Sequence, residues 1–259
     1  MLRSWHRRQL SRQPFSVEWR QILATNVPLY GRLPETARTA LEKHVRVFLD
    51  EKHFEGCGGL EVTAEMKVTV AGYACLLLLH DPSGYYPRLG TVVLYPQSFA
   101  APIRATDHLG VVTETVEERL GESWEEGTVV LAWDSIREII HGASGDCNVV
   151  VHEFAHQIDA RRALTAGARL LALRDRYRDW QELLAAEQGR QRSARRRGRP
   201  TALDPYALTS PEELFAVASE TFFMRPLRFK VNHPELYQEL QAVYGLDPAG
   251  WFSCDPMQR

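Results

Sequence analysis

Val149-Val150-Val151-His152-Glu153-Phe154-Ala155-His156-Gln157-Ile158 is the stretch on which the reading of this chain turns. It sets an HExxH pattern inside a run of apolar residues. On a helix, positions i and i+4 share a face, with about 5–6 Å between their Cβ atoms. His152 and His156 can therefore converge on one zinc ion, each imidazole nitrogen about 2.0–2.1 Å from it. Glu153 then stands beside the ion without binding it, where it can accept a proton from an attacking water. Val149, Val150, Val151, Phe154, Ala155 and Ile158 predict a buried helix over about 148–163. Ionisable groups in a buried helix require partners for their charge. The competing reading is a pair of hydrogen-bonded core histidines with an ion-paired glutamate.

A hydrolytic zinc site needs a third protein ligand and an open position. Asp159 shares the face of both histidines, but at 1.5 Å per residue it lies about 10 Å along the axis from His152. It is better placed as an acceptor for a ligand imidazole N–H, or as a helix ion pair. Glu213 and Glu220 sit on a later helix that opens at Ser210-Pro211, where Ser is a good N-cap and Pro suits the first position. Their spacing puts both on one face of a helix made apolar by Ala216, Val217, Phe222 and Phe223, and spacing does not separate them.

Outward from the motif, the chain divides into helices, then strands, then helices, the order of an α+β domain. Residues 1–16 read as a basic flexible tail, and 17–250 as a single domain. The pattern predicts helices over about 19–28 and 34–52, followed by a turn at Gly56-Cys57-Gly58-Gly59. Met66–Val70 alternates apolar and polar and reads as a strand, as do Ala74–Leu79, Thr91–Tyr95 and Thr128–Trp133. These predict a small mixed sheet ahead of a mainly helical C-terminal half, with helices over about 170–187 and 233–244. Between those two, residues 188–201 read as an arginine-rich loop.

Composition narrows the function. With 259 residues, 44% hydrophobic and 25% charged, the chain can bury a core without staples. A net charge of −2 does not point to nucleic acid or an anionic membrane. The run from Arg190 to Arg199 has no interleaved aromatic residues, so a solvated loop is preferred to a phosphate contact. Cys57, Cys75, Cys147 and Cys254 are too scattered for a disulfide framework and read as free thiols. No apolar stretch is long enough for a signal sequence or a membrane span, which makes a cytoplasmic protein the expectation. His44 and His53 read as structural, and His108, His141 and His233 as surface or loop residues.

Val151–His156, together with Pro211–Phe223, Leu94-Tyr95-Pro96 with Phe99, and Gly121–Trp124 through Val130–Trp133, resembles the Mlc titration factor A family over roughly residues 17–245. The resemblance implies a zincin-like fold whose core is similar to the catalytic domain of anthrax lethal factor. It implies a cytoplasmic zinc peptidase with weak aminopeptidase activity and one Zn2+ per chain, held by His152, His156 and Glu213. Glu153 would be the general base acting on a peptide substrate. Tyr206, seven residues before the ligand Glu213, would donate to the oxyanion of the tetrahedral intermediate. Glu220 then becomes a supporting group or a buried ion-pair partner. In some relatives the protein binds a transcriptional repressor of sugar uptake, a second class of function. The chain departs from the family after the motif helix, where Arg161–Gly167 leads into an Ala/Leu/Arg-rich helix in place of a segment containing Gly and Pro.

Overall fold

The structure is a computed structural model that describes residues 2–81, 84–106, 112–119, 121–124, 127–143, 147–168, 172–198 and 203–252. In chain order, helices α1 (Leu2–Arg12), α2 (Val17–Asn26), α3 (Pro28–Arg32) and α4 (Glu35–Glu51) lead into strand β1 (His53–Gly56) and helix α5 (Ala64–Leu76). Strands β2 (Thr91–Tyr95), β3 (Phe99–Thr106), β4 (Val112–Arg119), β5 (Gly121–Trp124) and β6 (Thr128–Ala132) follow. The remainder is helical: α6 (Trp133–Ile140), α7 (Val149–Ala168), α8 (Ala172–Arg196), a 3-10 turn (Pro205–Leu208), α9 (Pro211–Met224), α10 (Pro226–Asn232), α11 (Pro234–Tyr244) and a last 3-10 turn (Pro248–Trp251).

The main sheet runs β1-β2-β6-β5. β1, β2 and β6 are parallel, and β5 turns back antiparallel on β6. β3 and β4 pair antiparallel as a separate two-stranded ribbon. A mainly helical α+β chain with a small mixed sheet is therefore what the sequence predicts. Val92, Leu94, Val129 and Leu131 point from the sheet into one hydrophobic cluster that also takes in Val150, Val151, Phe154 and Ala155 of α7 and Phe215, Phe222 and Phe223 of α9. Phe154 is fully buried, its ring 4.8 Å from that of Tyr86 and 5.7 Å from that of Phe48. Tyr86 has a left-handed backbone (φ 53), a conformation that costs a non-glycine residue on the order of 1–3 kcal/mol. Its hydroxyl donates to the Ala74 carbonyl at 2.7 Å, and its own carbonyl accepts from the buried Lys52 ammonium at 2.8 Å. These bonds hold the ring that backs the motif helix.

Several expectations are overturned. Met66–Val70 is not a strand but the middle of α5, capped by Thr63, whose hydroxyl accepts from the Met66 N–H at 3.3 Å. Ala74–Leu79 is not a strand either: it closes α5 and turns away after Leu76. Every residue from Met66 to Leu76 except Lys67 is buried, and a helix apolar all round shows no period of its own. Gly72 lets α2 approach α5 closely, since a Cβ there would stand 2.6 Å from Leu23 Cδ2. Residues 1–16 are not a flexible tail. Helix α1 docks on α4 through the Arg7–Glu51 pair at 2.5 and 2.8 Å, the His6–Asp50 contact at 2.8 Å and the buried Leu10. The stretch 188–201 is not a loop at its start, because α8 continues to Arg196. Glu187, 1% exposed, accepts from Arg190 and Gln191 at 2.9 Å each and meets His233 Nδ1 at 2.9 Å, so buried polar pairs carry the helix forward and His233 is no free surface histidine. Arg195 and Arg196 in the last turn also suit the negative end of the helix dipole. Cys57, Cys75 and Cys147 form no disulfide among the described residues, while His108 and Cys254 lie outside them. Among the described residues no helix is long and apolar enough to cross a membrane.

His44 supplies a test of the N-terminal layer. It is buried on α4, with Nδ1 2.8 Å from the Tyr85 hydroxyl. Burial, with a smaller contribution from Lys43, pushes its pKa down to about 4. The unfolded chain takes up this proton near pH 6.5 and the folded chain does not, so stability falls as pH drops through the window from 6.5 to 4. Below the window the loss is ~3 kcal/mol, because each pH unit between the two values costs about 1.4 kcal/mol. Urea denaturation at about pH 7 and about pH 4, wild type beside His44→Gln, should show the variant losing about that much less. Equal losses would mean that His44 is not the group responsible.

Candidate metal centre

Asn148 opens α7: its side-chain Oδ1 accepts from the Val151 N–H at 3.0 Å, closing the first turn just ahead of the motif. α9 opens the same way, with Ser210 Oγ accepting from the Glu213 N–H at 3.2 Å and Pro211 in the first turn. That cap puts Glu213 at the start of α9, and α9 packs along α7. Val149–Val151, Phe154 and Ala155 of α7 and Leu214–Ala218, Phe222 and Phe223 of α9 are buried around this junction.

Three atoms converge between them. His156 Nε2 lies 3.2 Å from His152 Nε2, and Glu213 Oε2 lies 3.0 Å from His152 Nε2 and 3.5 Å from His156 Nε2. A tetrahedral ion with ligands at about 2.0–2.1 Å needs its ligand atoms about 3.3–3.4 Å apart. The three distances bracket that value. Glu213 Oε2 is buried, and although it lies in ion-pair range of both imidazoles it makes no hydrogen bond. Such an orphaned anionic oxygen is costly unless a cation meets it. The donor set of two imidazoles and a carboxylate suits zinc with a position left open. His152, His156 and Glu213 thus form a group that can hold a metal. This separates Glu213 from Glu220, which spacing did not do. The carboxylate of Glu220 faces the opposite nitrogen, His152 Nδ1, at 2.7 Å.

The charges are tightly bound to one another. Burial alone would raise the Glu213 carboxyl, but the proximity of the His152 and His156 imidazoles outweighs it and lowers it to about 2. Burial likewise opposes charging of His152, and Glu213 and Glu220 outweigh it, lifting the imidazole to about 10. Glu153 is 5% exposed, and burial pushes its carboxyl up to about 7 against the pull of the two histidines. A carboxyl poised near neutrality is suited to accept and return a proton.

Tyr206 stands at the mouth of the group on the 3-10 turn, 50% exposed, its ring centroid 6.0 Å from that of His152. Asp204 Oδ1 accepts from the Tyr206 N–H at 2.8 Å and fixes the turn. Asp159 is half-buried farther along α7, and the acceptor behind His152 is Glu220 instead. The part played by Asn148 was missed in the sequence, although an Asn directly before the apolar run of a helix is a recognisable N-cap signal.

Comparison with known proteins agrees with this geometry. The family described as glucose-regulated metallo-peptidase M90 matches residues 2–245. An uncharacterised protein of Synechocystis sp. is 37% identical over 245 residues, covering 94% of this chain and 89% of that one. The Mlc titration factor A of Klebsiella pneumoniae is 35% identical over 233 residues (89% and 86%), and that of Escherichia coli 30% over 243 (93% and 90%). With the match running over nearly its whole length, the chain belongs to the glucose-regulated metallo-peptidase M90 family, that of the Mlc titration factor A proteins.

Proposed function

We propose that this protein is a zinc-dependent peptidase, aminopeptidase-like in preference, in which His152, His156 and Glu213 hold the ion and Glu153 is the general base. The observation that carries the reading is the convergence of His152 Nε2, His156 Nε2 and the orphaned Glu213 Oε2 at 3.0–3.5 Å, with a buried carboxyl beside them. A zinc ion bound there supplies Lewis acidity toward a peptide carbonyl and makes an adjacent water easier to deprotonate. The work of the chain itself is proton traffic and orientation. Glu153 takes the proton of the attacking water and hands it to the leaving amine. Tyr206 donates its phenol O–H to the oxygen that becomes negative as the carbonyl carbon turns tetrahedral. A purely structural ion would need the ligands and no such base.

The test is hydrolysis of a panel of chromogenic aminoacyl anilides and short peptides by zinc-loaded protein, with and without a chelator. Cleavage that stops on chelation and returns with zinc supports the proposal; cleavage untouched by metal removal refutes it. On the best substrate, Tyr206→Phe should lower kcat about tenfold or more with little change in KM. That is less than the roughly 10²–10³ of a fully buried oxyanion donor, because Tyr206 is half exposed and water screens it. A change confined to KM would make Tyr206 a binding residue only.

The relatives' name favours a second reading, that the chain binds a transcriptional repressor, Mlc or its counterpart, and takes it out of action. Binding of such a repressor by wild type and by Glu153→Gln separates the two. Equal binding by both makes sequestration independent of the chemistry, while binding that needs Glu153 ties it to the active site.

A further inference from the structure

Behind the ligand group, Glu220 meets two donors at once. Oε1 lies 2.7 Å from His152 Nδ1, and Oε2 accepts from the backbone N–H of Asn148 at 2.5 Å. Both residues are buried, Glu220 at 6% exposed and Asn148 at 0%. Asn148 is the N-cap of α7 through its Oδ1, and its Nδ2 faces Met224 Sδ at 3.5 Å, one turn beyond Glu220 on α9.

We infer that Glu220 is the positioning residue of the metal centre: one oxygen keeps the His152 proton on Nδ1 and the other pins the start of α7, so that Nε2 is presented to the ion as a lone pair. The inference rests on the metal reading above and extends it to a residue outside the ligand set. A neutral imidazole has a lone pair on only one nitrogen, and the partner of the other nitrogen decides which. With a carboxylate at Nδ1, the lone pair falls on Nε2, the nitrogen turned toward His156 and Glu213. Acceptors of this kind fix ring orientation and raise ligand basicity. The bond to Asn148 adds a constraint along the helix axis. The backbone that begins α7 cannot shift without dragging the carboxylate that orients the ring four residues later. α9 thus serves the centre twice, with Glu213 facing the ion and Glu220, two turns on, facing the back of its ligand.

The chemistry requires a carboxylate at this position. Both partners are donors and Glu220 offers an acceptor oxygen to each. A glutamine has the same shape but one oxygen. Turned one way, its NH2 confronts the Asn148 N–H and the bond that pins the start of α7 to α9 is lost. Turned the other way, its NH2 confronts Nδ1, which must then accept, and the proton moves to Nε2, where it blocks the metal. Either orientation damages the site with no change in volume.

The experiment is Zn2+ affinity of metal-stripped wild type and Glu220→Gln in competition with a chromogenic chelator, with far-UV circular dichroism on both. The variant should fold, keep one site per chain and bind zinc about 10–100-fold more weakly. Affinity within twofold of wild type overturns the inference. If the variant does not fold, nitrogen-15 spectra of the zinc-loaded wild type decide. His152 carrying its proton on Nδ1 and the metal on Nε2 supports it, and the reverse attachment overturns it. Wild type that binds no zinc removes the metal reading and this inference together. Wild type that binds zinc beside an unimpaired glutamine variant removes this inference alone.

Discussion

Glu153→Gln should lower kcat for peptide hydrolysis by about 10²–10⁴-fold, the range for removing a positioned general base, while the protein still binds one zinc. The reason is the division of labour on α7. His152 and His156 project toward Glu213, and Glu153, one residue on from His152, is buried beside them without being part of the ligand group. Glutamine keeps the volume and the hydrogen-bonding reach but cannot hold a proton in transit. The surrounding geometry should therefore survive, and KM should change less than kcat. Steady-state kinetics on the best anilide substrate, with metal content determined on the same samples, checks both halves. A variant that keeps more than a tenth of wild-type kcat would remove Glu153 from the chemistry. A variant that loses its zinc would make the glutamate part of the binding site instead.

The second large effect is on stability. Phe154→Ala should destabilise the metal-free protein by about 3–5 kcal/mol, the cost of emptying a fully buried aromatic site. Phe154 sits between His152 and His156 in sequence but points to the opposite side of α7, into the rings of Phe48 and Tyr86 at 5.7 and 4.8 Å. It is the residue that presses the motif helix onto the α4–α5 layer. Tyr86 is held in a left-handed conformation by bonds to Ala74 and Lys52, and Phe48 is packed in the core. Neither can easily move in to fill the hole, which places the expected cost toward the upper part of the range. Urea denaturation with an unchanged m-value would measure it. A loss below about 1 kcal/mol would show that the site collapses freely and that the motif helix is anchored elsewhere.

The pairing of His152 and His156 as candidate metal ligands on α7 was readable because local geometry puts them on one face. HExxH at helical spacing inside an apolar run leaves few other uses for its side chains, and the Ser210-Pro211 start of α9 follows from capping chemistry alone. The choice between Glu213 and Glu220 was not available from spacing, because two residues seven apart share a helix face. It depends on how far α9 slides along α7, a tertiary quantity. The misread segments have physical causes too. α5 is buried on all sides, so the apolar–polar alternation of Met66–Val70 carried no information about period. α1 and the end of α8 look solvated in composition, but each is held by long-range polar contacts: Arg7 and His6 on Glu51 and Asp50, and His233 on Glu187. Arginine is also a good helix former, so a basic run with partners of opposite charge folds where the same run alone would not. His233 read as a surface residue for the same reason, since its partner lies on a different helix.

The group formed by His152, His156 and Glu213 is the centre of the account, and zinc uptake tests it most directly. Metal-stripped wild type, His156→Ala and Glu213→Ala would each be dialysed against the same micromolar zinc solution, and bound metal counted against protein. The account predicts one zinc per chain in the wild type and little or none in either variant, with the variants still folded. Wild type that returns without zinc, or variants that carry as much as wild type, would contradict it.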